Sequence, residues 1–389
     1  MNSGHGWSWK AVVLAVAVAG FVTGPMTVAA SGTSSWTIEN ASSSEAKTAV
    51  LLSDVCWRPR ACVAVGGSPS GSASALVWNG SKWSVLGTPP GSGQTTLDGV
   101  SCSSAKVCTA VGYTSSGRTN ATLAEGWDGT AWAVQPTPTL ADPSGSYAYL
   151  KAVSCRSPKA CTAVGYAINK QTSKTLAETW NGSKWTVQAT PAPAGSVQSW
   201  LNGVSCASAV SCIAVGYYDP SSGSALPLVE QWHGTKWTVQ TTPKPRAASG
   251  SYLYSVSCSS ATACTATGSY LDFTGHAKTL AEAWNGSAWA LQATPNPGGA
   301  LAIDYLTSVS CTSAHACTAV GYYAVSASRQ MTLAETWDGS AWRAQPTPNP
   351  RTAASSNLVS VSCAGNACAA VGYSSTATTS MMLAEGMRS

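Results

Sequence analysis

Residues 150–189 read LKAVSCRSPKACTAVGYAINKQTSKTLAETWNGSKWTVQA, and this stretch decides the fold. Residues 150–155 read as a short strand, 156–160 as a turn and 161–166 as a second strand. A polar loop over 167–174 leads to a third strand at 175–180. Asn181-Gly182 is a hairpin turn signal, because both residues tolerate positive φ. Residues 184–189 are the fourth strand, stopped by Thr190-Pro191. Strands of five or six residues are of ordinary length. No stretch has helical periodicity, and the Gly and Pro punctuation would interrupt a helix.

The same unit recurs along the chain at intervals of about fifty residues. Each copy contains one close cysteine pair: Cys56/Cys62, Cys102/Cys108, Cys155/Cys161, Cys206/Cys212, Cys258/Cys264, Cys311/Cys317 and Cys363/Cys368, which use all 14 cysteines. Repeats one to seven are named below in this order. The third strand ends in Trp78, Trp127, Trp180, Trp232, Trp284 and Trp337, and the fourth begins near Trp83, Trp132, Trp185, Trp237, Trp289 and Trp342. These tryptophans flank the hairpin turn and are expected to fill the core.

The last copy stops at its third strand, residues 382–387, whereas a lone fourth strand, Ser35-Trp36-Thr37-Ile38-Glu39, precedes the first copy. Together they make one unit. The expected fold is therefore all-β: a seven-bladed β-propeller of four-stranded antiparallel blades over residues 31–389, closed by the N-terminal strand pairing with the C-terminal blade. Closure removes exposed sheet edges.

Charged residues form only 10% of the chain, and the formal net charge of +5 is spread along it. No basic patch suited to nucleic acid is present. Residues 1–30 read as a secretory signal peptide, with Lys10 as the positive start, an apolar run over 11–24 and the small residues Val28-Ala29-Ala30 for cleavage. That run is too short for a comfortable membrane span. Secretion fits the cysteines. Two cysteines facing each other across an antiparallel hairpin lie within disulfide reach, so each pair is expected to staple the turn that it brackets. Metal binding would need further ligands, and the chain has only 4 histidines. Each small disulfide loop contributes about 2 kcal/mol in the chain-entropy model.

The pattern S-C-x5-C-x-A-V-G followed by L-A-E-x-W-[ND]-G-x-x-W is similar to repeats in secreted proteins of high-GC Gram-positive bacteria. The layout also resembles kelch repeats of the galactose-oxidase type, in which a glycine pair ends the second strand. Here Gly66-Gly67 stands at that place in repeat one, whereas other copies put Gly before Tyr, as in Gly165-Tyr166, or before Ser, as in Gly268-Ser269. The resemblance implies a propeller, and a role in binding more often than in catalysis.

Candidate chemistry is sparse. Of 16 acidic residues, six are one repeated glutamate: Glu125, Glu178, Glu230, Glu282, Glu335 and Glu385, with Leu76 in its place in repeat one. Six equivalent copies point to a structural job, such as accepting hydrogen bonds from a neighbouring blade. The unique acids are Glu39, Glu45, Asp54, Asp98, Asp142, Asp219, Asp272 and Asp304. A glycosidase needs two that converge. A sialidase-type box is absent, because Asp128 and Gly129 are adjacent, and a copper site would need two histidines near tyrosines. No phosphate loop or nucleophile elbow is present. Neither a cofactor nor a metal is expected. Asn79, Asn181 and Asn285 lie in glycosylation sequons, but the hairpin turn accounts for them.

The blade-to-blade connection and the second-to-third strand loop vary between copies, and binding residues concentrate on such loops. Just before the first strand, successive copies present Tyr149, Trp200, Tyr252 and Tyr305; two positions on stand Asp98, Lys151, Asn202, Tyr254, Thr307, Val359 and Leu52. The first strand is innermost in a propeller, so these residues are expected at the channel mouth. Four aromatics with polar neighbours would suit sugar rings or peptide. The bland alternative is packing at the end of the barrel. The expected function is a secreted, monomeric, non-catalytic binding propeller for a glycan or an extracellular protein. The alternatives are a glycan-active hydrolase or lyase, and a structural or surface-display module.

Overall fold

The computed structural model describes residues 35–388 apart from 92, 140–146, 222, 247, 300–302, 327 and 377. The expected signal peptide and Asp142 lie outside the described residues. The described chain is all-β apart from one short helix, and its sheets are four-stranded antiparallel meanders; two of them are joined by a single parallel pair, Tyr147 with Asn120. Repeat three comprises Tyr147–Ser157, Ala160–Asn169, Thr172–Trp180 and Trp185–Gln188. Its register sets Cys155 opposite Cys161 and Trp180 opposite Trp185.

Two details differ from the sequence reading. The first three strands are longer, because polar Ser, Thr, Asn and Lys residues expected in loops keep pairing. In repeat three the expected loop over 167–174 shrinks to a turn at Lys170 and Gln171, both with positive φ. The helix, Ser44–Thr48, is not expected from sequence because one turn is too short to show a period; the Ser43 side chain caps it by accepting from the Ala46 amide at 3.2 Å.

The N-terminal strand Ser35–Ile38 pairs antiparallel with Ser380–Arg388, placing Trp36 opposite Met387 and Ile38 opposite Glu385. It thus supplies the fourth strand of repeat seven. The same segment also grips repeat one: the Trp83 amide donates to Asn40 O at 2.9 Å and Trp83 Nε1 to Glu39 Oε2 at 2.8 Å. Two other boundaries use a glutamine at this place: Trp185 Nε1 donates to Gln135 Oε1 at 3.1 Å and Trp342 Nε1 to Gln292 Oε1 at 2.9 Å.

The core lies between consecutive repeats. Val63, Val65 and Ala75 of repeat one pack on Leu97, Val100 and Ala110 of repeat two. Equivalent clusters occupy each following boundary, and one joins repeat seven to repeat one through Val371, Ala384, Leu51, Ala64 and Leu76. Paired tryptophan rings stand 5.6–5.8 Å apart in repeats one to six.

Each cysteine pair is disulfide-bonded across the first hairpin: Cys56 to Cys62, Cys102 to Cys108, Cys155 to Cys161, Cys206 to Cys212, Cys258 to Cys264, Cys311 to Cys317 and Cys363 to Cys368. The second cysteine of each pair is not at the turn surface but in the core. Cys108, Cys212, Cys264 and Cys317 are 1–4% exposed, and each belongs to an apolar cluster between repeats. The cause is position: the second strand is flanked by the first and third, and the adjoining repeats cover its faces. The sulfurs of Cys108, Cys161, Cys212, Cys264 and Cys317 also lie 3.7–4.0 Å from the carbonyl oxygens of Ser104, Ser157, Ser208, Ser260 and Ser313. A disulfide sulfur carries no proton, so these are packing contacts and not hydrogen bonds. Val55 precedes the first cysteine of repeat one; in repeats two to seven the serine at that place links repeats in another way. It accepts the amide of the next repeat's cysteine, as Ser101 does from Cys155 at 2.9 Å and Ser362 from Cys56 at 2.8 Å.

A β-bulge interrupts every first strand at the same place. In repeat three it falls between Leu150 and Ala152, so that Lys151 has no partner in the second strand. Opposite each bulge stands the glycine of the A-V-G or A-T-G motif. At Gly216 an added Cβ would overlap the carbonyl oxygen of Trp200, and the same holds at Gly66, Gly112, Gly165, Gly268, Gly321 and Gly372. These glycines are needed for close backbone approach, not for positive φ. Gly216→Ala is expected to cost about 3 kcal/mol. Gly117→Ala, at a turn glycine with open space but φ 62°, should cost only about 1 kcal/mol. Chemical denaturation of both variants checks this, and equal losses would remove the close-approach account.

Candidate binding site

The bulged positions are Leu52, Asp98, Lys151, Asn202, Tyr254, Thr307 and Val359. A bulge frees its side chain from the ladder and re-aims it. All seven line one cavity of ≈ 390 Å³ between the first strands, together with residues such as Asp54, Ser255 and Ser360. That volume lies within the range of small-ligand sites.

The polar groups of this cavity fall into two kinds. Lys151 Nζ stands 3.1 Å from Asp98 Oδ2. Burial raises the Asp98 carboxyl above the usual carboxylate range, and the Lys151 charge opposes the rise. Asn202 Nδ2 donates to Leu253 O at 2.9 Å, Thr307 Oγ1 to Leu358 O at 2.8 Å, and the Tyr254 hydroxyl lies 3.0 Å from Ser269 Oγ. Several donors are therefore committed to the protein itself.

Tyr149, Trp200, Tyr252 and Tyr305 stand two residues before the bulges and are not among the residues that line the cavity. Their rings are half-buried and engage tyrosines of the second strands. Trp200 stacks on Tyr217 at 4.6 Å and Tyr305 on Tyr322 at 5.1 Å. Tyr149 lies between Tyr113 at 4.9 Å and Tyr166 at 5.0 Å, and Tyr217 meets Tyr252 at 5.0 Å. Tyr254 joins the group through Tyr305 at 6.3 Å. The tyrosines 113, 166, 217 and 322 are not singled out by the sequence reading. Their signal is the G-Y step itself, which reads as punctuation; it is the residue paired with the rim position.

The repeated glutamates lie elsewhere, buried between repeats. Glu125, Glu178, Glu230, Glu282, Glu335 and Glu385 are at most 1% exposed. The expected hydrogen bonds from a neighbouring blade are not formed: both carboxyl oxygens of Glu178, Glu230, Glu282, Glu335 and Glu385, and one of Glu125, lack a partner among the described residues. The hydroxyls closest to serving three of them, Thr122 for Glu178, Thr175 for Glu230 and Thr332 for Glu385, temper the effect of burial. Each instead bonds to a threonine of its own repeat, at 2.8–2.9 Å. Burial pushes Glu125 and Glu178 up to about 7 and the other four up to about 8.

Repeat one breaks this pattern twice. In the other repeats the row across the sheet runs Val–Ala–Glu, as in Val100, Ala110 and Glu125. In repeat one it runs Asp54, Ala64, Leu76. The carboxyl has moved from the third strand to the first. Asp54 is 6% exposed, its carboxyl oxygens are themselves buried, and the groups that favour its ionised form are the Ser360 hydroxyl and the amides of Asp54 and Ser362. Ser360 Oγ accepts the Asp54 amide at 3.1 Å, and its hydroxyl opposes the rise that burial causes, which still carries Asp54 up to about 7.

Of the remaining polar candidates, His276 lies in a turn with Asp272, its Nδ1 3.9 Å from Oδ2. Among the described residues no group of three or more His, Cys, Asp or Glu could hold a metal ion.

No family model matches the chain, and no curated protein is similar to it in sequence. Among solved structures it is similar to YCF48 from Cyanidioschyzon merolae, with 12% identity over 91% of this chain and 99% of that chain, and a TM-score of 0.53. It is similar to an ulvan lyase of polysaccharide lyase family PL25, with 11% identity over 89% of this chain and 97% of that chain, and a TM-score of 0.55. The WD40 β-propeller domain of Doa1 aligns with 11% identity over 90% and 96%, at a TM-score of 0.52. These likenesses define the fold as propeller-like.

Proposed function

We propose that the chain is a secreted, seven-bladed propeller, closed into a ring by its N-terminal strand, that binds a glycan through the rim and mouth of its central cavity. The boundary between repeats seven and one supports closure, since it has an apolar cluster and a serine–cysteine link like those of internal boundaries, and an indole hydrogen bond like those of Trp185 and Trp342. Seven disulfides fit an oxidising compartment. No helix among the described residues is long and apolar enough to cross a membrane.

The observation that carries the glycan reading is the set of half-buried aromatic rings two residues before the bulges, on the first strands whose bulged side chains line the cavity. Aromatic faces held rigidly by second-strand tyrosines present flat apolar surfaces, and the cavity offers hydrogen-bonding groups beside them. Similar propellers serve both ligand classes: one YCF48 structure is bound to D1 peptide, and the ulvan lyase is described with a bound saccharide. A glycan-active enzyme is the second reading, because Asp54 and Asp98 line the same cavity. Against it, Asp98 is paired with Lys151.

Trp200→Ala is expected to weaken binding on a glycan array of oxidised protein at least tenfold, about 1.4 kcal/mol, while the lost stacking on Tyr217 lowers the melting temperature by only a few degrees. Unaltered affinity for the glycan so identified would reject the rim as the site. Shortened products in the same incubation would favour the enzyme.

A further inference from the structure

We propose that the hairpin-turn side of repeats one to three, at the strand ends opposite the rim, docks an acidic polysaccharide. This surface lies apart from the central cavity and does not depend on a ligand there.

Along the chain the cations are dispersed, but the fold gathers them. Both short turns of a repeat lie at the same end of its strands, one beside the other: an added Cβ at Gly182 would meet the Lys159 side chain, one at Gly80 the Arg60 side chain and one at Gly129 that of Lys106. Hydrogen bonds between first strands hold successive repeats together. The Val100 amide donates to Ser53 Oγ at 3.2 Å, and the Cys155 amide to Ser101 Oγ at 2.9 Å. On these turns repeat one presents Arg58, Arg60 and Lys82, and repeat two presents Lys106. Repeat three adds Arg156, Lys159 and Lys184, and all of these side chains are exposed. None forms an ion pair among the described residues. Asp128 is the one acid on the same turns, and its Oδ1 accepts the amides of Thr130 and Ala131. Glu39, near Arg58 and Arg60, accepts the Trp83 indole hydrogen.

The rest of the turn side is different. Val210, Thr262, His315 and Asn366 stand in repeats four to seven where Arg60, Lys106 and Lys159 stand in repeats one to three. Arg343 of repeat six is paired with Asp338 at 3.0 Å. Unpaired like charges on one arc repel one another, and solubility would be served by an even spread, so the arc calls for an anionic partner.

The surroundings of the cations specify that partner. The hollow beside Arg58 and Arg60 measures only ≈ 20 Å³, too little for a free sugar, whereas a linear polymer can lie across the turns of three repeats and gain from each. Half-buried indoles stand among the cations: Trp57 beside Arg58, Trp127 beside Asp128, and Trp180, whose Nε1 donates to Pro158 O at 3.2 Å. Indole faces next to lysine and arginine suit pyranose rings that carry carboxylate or sulfate groups. None of the exposed large apolar side chains among the described residues belongs to these turns, so a lipid surface would gain no inserted anchor.

The test is titration calorimetry on the full oxidised chain with polygalacturonate, dextran sulfate, neutral dextran and monomeric galacturonate. An acidic polymer should bind at least tenfold more tightly than dextran or the monomer. Its affinity should fall about tenfold between about 50 and about 200 mM salt. Binding by one of the two acidic polymers alone supports the proposal and names the anion. The triple variant Arg60→Asn, Lys106→Thr, Lys159→Thr carries residues that other repeats use at this place, and asparagine tolerates the φ of 64° at Arg60. It should lose at least tenfold in affinity with its melting temperature retained. Arg118→Ser, Lys174→Thr, Lys244→Thr removes as much charge outside these turns and should leave affinity within twofold; an equal loss would reduce the effect to net charge and overturn the proposal. Trp200→Ala should leave the acidic polymer bound, and its release by that variant would move the site to the rim and overturn the assignment to the turns. Tighter binding of polyuridylate, or of phosphatidylglycerol vesicles, than of either acidic polysaccharide overturns the class of partner. If neither acidic polymer binds, the proposal falls and the rim reading is untouched.

Discussion

Raising the pH from 5 to 9 is expected to lower the melting temperature of this protein by on the order of 10 °C or more. Six glutamates buried between repeats are held up at about 7 or about 8, against 4.5 for a free side chain. The folded state therefore binds more protons than the unfolded chain between these values. Stability falls as pH rises wherever the native state holds the extra protons. The fall begins near pH 4.5, runs through 7 and 8, and levels off above the folded values. One pKa unit corresponds to 1.36 kcal/mol, so even about 1 kcal/mol per glutamate accumulates to a large loss over six sites. Scanning calorimetry across this range checks it. Glu230→Gln and Glu282→Gln should flatten the profile, since an amide cannot ionise. No free cysteine is available to start disulfide exchange at the alkaline end. A melting temperature independent of pH would falsify the neutral-carboxyl account.

Deleting residues 33–41 is expected to give a chain that aggregates or melts more than about 10 °C lower. Trp36 is 6% exposed and packs with Val320, Leu383 and Met387. Its burial alone contributes about 5 kcal/mol. Deletion also leaves Ser380–Arg388 as an unpaired edge, which invites pairing with other chains. It removes Glu39 and Asn40 from Trp83 as well, so both repeats at the seam lose contacts. Size-exclusion chromatography and a thermal melt read the outcome. A monodisperse peak with the full-length melting temperature would contradict the role given to this strand.

Much of the fold was legible because it is written several times over. The cysteine pairs, the Trp-flanked hairpin and the strand order recur, so a weak local signal becomes a strong one. The split last unit was legible from the lone Ser35–Ile38 strand. What the sequence did not show were features with no local mark. A bulge at Lys151 depends on the carbonyl of Tyr149 meeting Gly165, two strands in register, and nothing in the string L-K-A signals it. Spacing pairs Cys206 with Cys212, but only the packing of adjoining repeats makes Cys212 a core residue. The glutamates looked structural by repetition, yet their lack of partners follows from three-dimensional packing. Asp54 was visible only as one of several unique acids. Its exchange with Leu76 emerges when residues are compared across a sheet row instead of along the chain.

The bulge also separates what can vary from what cannot. Each repeat gives the cavity one unpaired side chain, while the ladder and apolar clusters continue on either side. The wall is in effect a word of seven letters, here L-D-K-N-Y-T-V, written one letter per repeat on a constant frame. Changing a letter disturbs no register and little core, so new ligand preferences lie one or two substitutions away. Chains with this frame and other words at the bulge would be expected to differ in what they hold and not in how they fold.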